Sequence, residues 1–436
     1  MAVEIINDTI LKPSPSSPPN AILNSQIPLT IFDRAAFDLH VNILYAYRPP
    51  MPSNEAIIEG LSQVLNHFPH LAGRLTVDKE GRPCVLLNNA GIRLVETRVG
   101  TTLAERLPFN PSHELTKLHP PIEGNIDELL QIQLNRYTCG GLVIGQTAHH
   151  RVADGQSMSS FFLAWAKLVR GLAVDPLPYH DRAAISVPRN PPFYEFNHRA
   201  IEFREEIERD TSANTSSSSI VNLVIHFSHE FVTKVKTHVI GTDVGHRYST
   251  FECMLAHLWK KITIARGLDD DELTQVRVAV NGRGRIKPAV PLEYFGNLVL
   301  WAYPRLRVKD LLNESHVFVA KAIHEAVAKV DNAYFKSFVD FGELSKGEDG
   351  GSLVGAAPDV GNLLCPNMEV DSWMRFQFHD LDFGGGGPCA FLPAELPVEG
   401  LLIFVPSCKE KGGVDAFMAL QQEHVDHFKQ IAHSLD

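Results

Sequence analysis

Six cysteines stand in 436 residues, at positions 84, 139, 253, 365, 389 and 408, and no two of them form a CxxC pair. This scatter excludes a disulfide framework and a zinc ribbon, and it fits a reducing compartment. No stretch approaches the roughly 18 apolar residues of a membrane-spanning helix. The first residues carry Glu4 and Asp8 where a secretion signal would carry lysine or arginine. Neither HExxH, nor GxSxG, nor a P-loop occurs, so three common hydrolytic and nucleotide-handling devices are excluded. Basic residues are in deficit, 40 against 51 acidic, for a formal net charge of -11. A nucleic-acid binder needs a basic face, so that class is disfavoured, whereas a cationic small molecule is allowed. The expectation is a cytoplasmic chain with no membrane and no metal.

What is present is the composition of a globular protein, 44% hydrophobic and 21% charged. Length predicts about three domains at roughly 150 residues each, and two large ones are equally compatible. SNEAIIEGLSQVLNHF, from Ser53, reads as an amphipathic helix capped by Ser53, and CVLLN as a strand. GGLVIGQTAHH is a short strand, Leu142 to Thr147, running into two histidines. MSSFFLAWAKLVRGL follows as a helix with Ser157 near its N-cap and Gly171 as its stop. Residues 173–193 hold five prolines, and 210–219 form a polar serine-rich tract, mobile by composition. Beyond them, 249–268 reads as a helix, 275–280, NLVLWAY and LLIFVP as buried strands, and WMRFQFH as another strand. The alternation gives a mixed α/β fold, with residues 1–175 and 221–436 as two halves and 176–220 as the connector. No internal repeat is present.

Two segments carry chemistry. His149-His150-Arg151-Val152-Ala153-Asp154-Gly155 places histidines where a strand hands over to a helix, a position from which a side chain reaches a cleft. A histidine there is a candidate general base because its unperturbed pKa lies near neutral. Asp154 either orients it or pairs elsewhere to hold the loop. With 20 histidines in the chain, a structural role is the commoner fate of any one of them. Asp382-Phe383 followed by glycines 384 to 387 is a backbone able to approach a ligand or to turn sharply. Taken alone, it reads as a surface turn.

Together, HHxxxDG and the later DFGxG resemble the signature pair of the plant BAHD acyltransferases, which use acyl-CoA thioesters. LAGRL (71–75), STFECMLAHLWK (249–260), NGRGR (281–285), YFGN (294–297) and CPN (365–367) extend the resemblance over essentially the whole chain. One departure is Gly385, where the family usually has tryptophan. The resemblance implies two similar-sized chloramphenicol-acetyltransferase-like domains with a channel between them, and segment 370–395 packing with the first. It implies His150 as general base, with Asp154 and Asp382 as the signature carboxylates, Asp154 pairing with Arg283. Asp382 opens a motif that in the family is chiefly structural, and Gly155 and Gly384 complete the two motifs structurally. Ser249 and Thr250 match positions lining the CoA tunnel, although a helix N-cap is an equal reading. Arg285 and Lys287 stand where CoA phosphates or solvent would meet a basic edge. Acyl-CoA is then a co-substrate, with no permanently bound cofactor and a monomeric protein.

The acceptor is read from CPNMEVDSWMRF. Shikimate and quinate transferases of the family carry a threonine two residues before the tryptophan and an arginine seven before the cysteine. Here those positions are Asp371 and Pro358, and Trp373 is the tryptophan. Losing the guanidinium removes a bidentate carboxylate partner. Gaining a carboxylate favours a cation. Resemblance of 181–203 and 397–407 to the agmatine and putrescine branch points to p-coumaroyl or feruloyl transfer onto such an amine. Alternatives are an aromatic amine (tryptamine, tyramine, serotonin), O-acylation of shikimate, quinate or an alcohol, and an acyl-CoA sensor without turnover. Asp371→Thr is expected to raise the acceptor KM strongly while the acyl-CoA KM changes little. An unchanged acceptor KM in steady-state assays would remove Asp371 from the acceptor site.

Overall fold

The computed structural model describes residues 1–15, 23–122, 124, 126–204, 219–240, 247–347, 353–356, 358 and 361–435. Residues 210–218 of the serine-rich tract lie outside them. Two mixed sheets dominate. The first runs, edge to edge, Val3–Leu11, Ile92–Val99, Leu130–Tyr137, Leu142–His149, His40–Tyr47 and Ala390–Leu392. Its last strand comes from late in the chain and pairs antiparallel with His40–Tyr47. The second runs Ile220–Phe227, Val414–Gln421, Leu401–Pro406, Met368–Ser372, Leu273–Asn281 and Val299–Ala302, with Arg305–Arg307 also paired to Leu273–Asn281. Helices Asn54–Val64 and Gly155–Val169 pack on the first sheet, and Trp165 Nε1 ties them together by donating to Ile57 O at 2.9 Å.

Strand alternation in the second sheet positions the site. Val276, Val278, Val280, Met368, Val370, Leu402, Phe404 and Leu300 point into one hydrophobic core with the buried helix Thr250–Arg266. Successive side chains on a strand face opposite ways, so Ala279, Glu369, Asp371, Ile403, Val299 and Trp301 line the channel on the other face. A one-residue slip would bury the carboxylates in the core and expose the valines, so burial on one face sets the register.

Two local readings change. The N-cap of Gly155–Val169 is Asp154, whose Oδ1 accepts the Ser157 amide at 2.9 Å; Ser157 is already inside the helix. The segment 373–379 is no strand. Pairing ends at Ser372, and the chain turns through Met374 and Arg375 into the 3-10 helix Phe378–Asp380. Its apolar residues lie against the ring of Phe391 instead of in a ladder, with Phe378 at 3.6 Å and Trp373 at 5.4 Å between ring centroids.

The glycine run is a turn of defined shape. Gly384 and Gly386 have φ of 111° and 97°, a region L side chains rarely adopt. A Cβ at Gly385 would fall 2.2 Å from the Pro50 carbonyl oxygen and 2.6 Å from Met51 Sδ. The space for a side chain at this position is filled from the preceding half by Pro50 and Met51. Gly385→Trp is therefore expected to destabilise the protein by about 1–3 kcal/mol through overpacking. Thermal unfolding checks it, and an unchanged Tm would show that the loop yields freely.

Candidate active site

His150 ends the strand-to-helix passage at the wall of a channel of about 2720 Å³ lined by residues of both sheets. Its amide donates to Leu39 O at 2.9 Å, and its carbonyl accepts from Asn297 Nδ2 at 2.8 Å. The ring packs on Phe37 with centroids 5.2 Å apart, and Phe37 stacks in turn on Trp301 at 6.0 Å. Burial lowers the imidazole below its ordinary 6.5, while Asp154, its own carbonyl and Asn297 work in the opposite sense. Burial thus favours the neutral imidazole, the form that can accept a proton. His149 is less suited, because burial and the charges of His40, Arg151 and His150 push it down to about 3. It sits edge-on to His40 at 4.8 Å and 3.5 Å from Asp38.

Asp154 does not reach toward the base as a relay. Arg283 Nη1 donates to its Oδ2 at 2.8 Å and Nη2 to its Oδ1 at 3.0 Å, with both side chains buried. The amides of Ser157 and Leu298 also donate to Asp154. Burial alone would raise this carboxyl, but the Arg283 charge and these hydrogen bonds hold it below its usual value. Arg283 Nη2 further meets Ser157 Oγ at 3.0 Å and the carbonyls of Tyr294 and Gly296. Gly155 opens the helix on the channel wall, where a Cβ would press on the Phe376 ring at 2.9 Å.

Asp371 and Trp373 both line the channel, as does Pro358. Burial and the neighbouring Glu369 push Asp371 up to about 7, and Arg277 offsets this in part. Glu369 is occupied: Arg277 Nη1 donates to it at 2.9 Å, and the guanidinium lies 3.7 Å over the Trp301 ring. The Asp371 carboxyl has no hydrogen bond or ion pair among the described residues.

The remaining sequence candidates are dispersed. Asp382 sits in the glycine turn, accepting the amides of Gly384 at 2.7 Å and Gly386 at 2.8 Å, with Arg170 3.6 Å away. It holds a turn. Ser249 caps Thr250–Arg266 in a reciprocal capping box with Glu252, and Thr250 opens that helix. Arg285 does line the channel, where its Nη1 donates to the carbonyls of Val327 and Val330 at the end of helix His316–Lys329. Sequence reasoning missed Phe37, Trp301, Arg277 and Glu369, which have no motif. It also missed Asn297, despite the YFGN segment, and Asp33, whose buried carboxylate accepts from Asn297 Nδ2 at 3.0 Å and from Arg182 Nη1 at 2.7 Å. Among the described residues no group of three or more His, Cys, Asp and Glu is placed to hold a metal, and no helix is long and apolar enough to cross a membrane.

Two outcomes are expected. Arg283→Met leaves Asp154 buried and unpaired and costs about 3–5 kcal/mol of stability, measurable by denaturant unfolding. With His150 read as the base, the neutral imidazole is the working form and burial lowers its pKa, so kcat is expected to fall on the acid side with a midpoint below pH 6.5. A midpoint above 7 in the kcat profile would contradict a base neutralised by burial.

A profile of the Transferase family matches residues 1–435. Tryptamine hydroxycinnamoyltransferase 2 of Oryza sativa subsp. japonica is 51% identical, with 100% of each chain covered. Agmatine hydroxycinnamoyltransferase 1 of the same organism is 42% identical over 94% of this chain and 93% of its own. Among solved structures, vinorine synthase superposes with a TM-score of 0.72 at 22% identity, covering 98% of this chain and 96% of that one, a likeness of fold. With the His150 and Asp382 motifs in place on that fold, the chain belongs to the BAHD acyltransferase family.

Proposed function

We propose that this protein transfers a hydroxycinnamoyl group, p-coumaroyl or feruloyl, from its CoA thioester to a primary amine, releasing the amide and free CoA. The observation that carries the reading is Asp371, an unpaired carboxylate on the channel wall, with Pro358 on the same channel in place of an arginine. His150 removes a proton from the attacking nitrogen as the N–C bond forms at the thioester carbonyl. The tetrahedral oxyanion then collapses, the C–S bond breaks, and the proton passes from His150 to the departing thiolate. The channel brings donor and acceptor together so that attack is effectively unimolecular. For the donor's phosphate-bearing tail, Arg285 is supported by its place on the channel wall; Ser249 is supported as a helix cap, with Thr250 beside it.

Agmatine or putrescine suits the site because each presents a second cation to Asp371 while its neutral nitrogen meets His150. An ammonium or guanidinium at Asp371 would favour the ionised carboxylate and replace the partner it lacks. An aromatic amine is the second reading, favoured by the 51% identical tryptamine transferase and by the rings of Phe37 and Trp301 beside His150. In that case Asp371 accepts the far N–H or O–H of the ring.

A thiol-release assay with p-coumaroyl-CoA against agmatine, putrescine, tryptamine, tyramine and shikimate tests the proposal. Turnover is expected with amines and not with shikimate; shikimate as the preferred acceptor would overturn it. His150→Ala should bind donor and release no thiol, whereas a wild-type protein that binds but never releases thiol would be a sensor. Asp371→Asn separates the two acceptor readings. Losing a charged hydrogen bond, roughly 1.5–3 kcal/mol, raises KM about 10- to 100-fold for a cationic far end. A neutral N–H donor still finds the amide oxygen and changes much less.

A further inference from the structure

Gln146 is an amide in an apolar row. On the strand Leu142–His149 it stands opposite Ile43 on one side and Ile132 on the other, and Leu94 follows Ile132 across the sheet. Strand alternation puts Ile144, Tyr45 and Phe391 on the same face, two residues along. Gln146 is 2% exposed and lines the channel, and its Oε1 is buried with no hydrogen-bond donor among the described residues. The buried amides on the opposite face of the neighbouring strand each have a partner. Gln131 Nε2 donates to Pro121 O at 3.2 Å, Gln133 Nε2 to Lys117 O at 2.8 Å and Asn135 Nδ2 to Leu118 O at 2.8 Å. Burying a carbonyl without a donor is costly, so such an atom on a channel wall marks a place where a ligand supplies the donor.

The channel beside Gln146 is aromatic. Tyr45, Phe378 and Phe391 line it, with ring centroids 4.9 Å apart for Tyr45 and Phe391 and 3.6 Å apart for Phe378 and Phe391. Such rings favour a flat apolar group. The row of Ile43, Gln146, Ile132 and Leu94 carries no charged side chain, so it offers nothing to an ammonium or a phosphate. Gln146 stands four residues before His150, roughly 13 Å along a strand. A hydroxycinnamoyl group with its thioester carbonyl at His150 extends through two vinyl carbons and a ring before its hydroxyl, a span of that order. A benzoyl ring, joined directly to the carbonyl, ends well short of it.

We propose that Gln146 selects the acyl donor: its Oε1 accepts the phenolic O–H of the hydroxycinnamoyl ring while Tyr45, Phe378 and Phe391 pack against that ring. The proposal deepens the acyl-transfer reading and rests on it. A donor without the ring hydroxyl, such as cinnamoyl-CoA, fills the same aromatic space but leaves Oε1 unmet, so the site distinguishes the two donors by one hydrogen bond. Methionine matches glutamine in length, has only a weakly accepting sulfur and suits an apolar row.

Isothermal titration of the full-length protein with p-coumaroyl-CoA and with cinnamoyl-CoA, in the absence of acceptor, tests this apart from turnover. The wild type is expected to bind p-coumaroyl-CoA about three- to tenfold more tightly, the size of one hydrogen bond. Gln146→Met should bind the two donors equally, with its affinity for cinnamoyl-CoA changed by less than about twofold. Because the substitution removes a buried, unmet carbonyl, the ligand-free Tm of Gln146→Met should not fall below that of the wild type. Equal affinities in the wild type would overturn the proposal. So would a lower Tm in Gln146→Met with the donor preference intact, which would make the residue structural. A p-coumaroyl preference with no thiol release to any amine would leave the proposal standing while the acyl-transfer reading fails. Turnover with equal Kd and kcat/KM for the two donors would remove Gln146 and leave that reading intact. Should Gln146→Met fail to fold, Gln146→Asn, one methylene shorter, takes its place: the preference should disappear there too, and an unchanged one decides against the proposal.

Discussion

The buried pair of Asp154 and Arg283 is the constraint on which the site depends. Asp154 caps the helix that follows His150, and Arg283 stands just past the end of strand Leu273–Asn281 in the other sheet. Desolvating both charges is expensive, and such a pair is tolerated only where the remaining donors and acceptors are met. Here they largely are: two amides, a hydroxyl and two carbonyls surround the carboxylate and the fork. Neither sheet can slide relative to the other without leaving a buried charge alone. The channel between them therefore has defined walls, and His150, four residues before Asp154, has a defined place on one of them.

Along those walls burial acts in opposite directions on acid and base. It lowers His150 and raises Asp371, moving both toward their neutral forms. For a base the neutral form is the working one. For Asp371 the shift leaves a carboxyl that a positive charge placed beside it would draw toward ionisation. Glu369, although on the same face, is withdrawn from this task by Arg277, whose guanidinium also covers Trp301. Of these two carboxyls, Asp371 is the one without a side-chain partner among the described residues. The overall charge of -11 says nothing of this arrangement.

Legibility in the sequence followed the range of the forces involved. The helices from Ser53 and Ser249 were readable because their caps and apolar periodicity are local: Ser53 accepts the Ala56 amide, and Ser249 forms a capping box with Glu252. The sequence reading puts the cap near Ser157 and the structure puts it at Asp154, three positions earlier; both are good cap residue types, so residue type alone does not separate them. Ser157 turned out to be occupied across the interface, with Arg283 and Gly296. WMRFQFH had the composition of a strand, yet no partner strand runs beside it; aromatic packing on Phe391 took its apolar residues instead. Gly385 departs from the family's tryptophan, and only the structure shows that Pro50 and Met51 occupy the space a side chain would need.

By itself the sequence determined the residue types available for chemistry, the two signature segments and the alternating faces of the strands, because each depends on neighbours close along the chain. That was sufficient to single out His150 and Asp371, both of which line the channel, and to anticipate the Asp154–Arg283 pair. Tertiary structure alone decided which carboxyls lack a partner, how far each histidine is buried and which groups hold the His150 main chain. Asp33, Asn297 and Arg182 are separated by more than a hundred residues, and their hydrogen bonds exist only once the halves close. Charge state and hydrogen-bond partnership are set by burial and by non-local contacts, and no spacing along the chain encodes either.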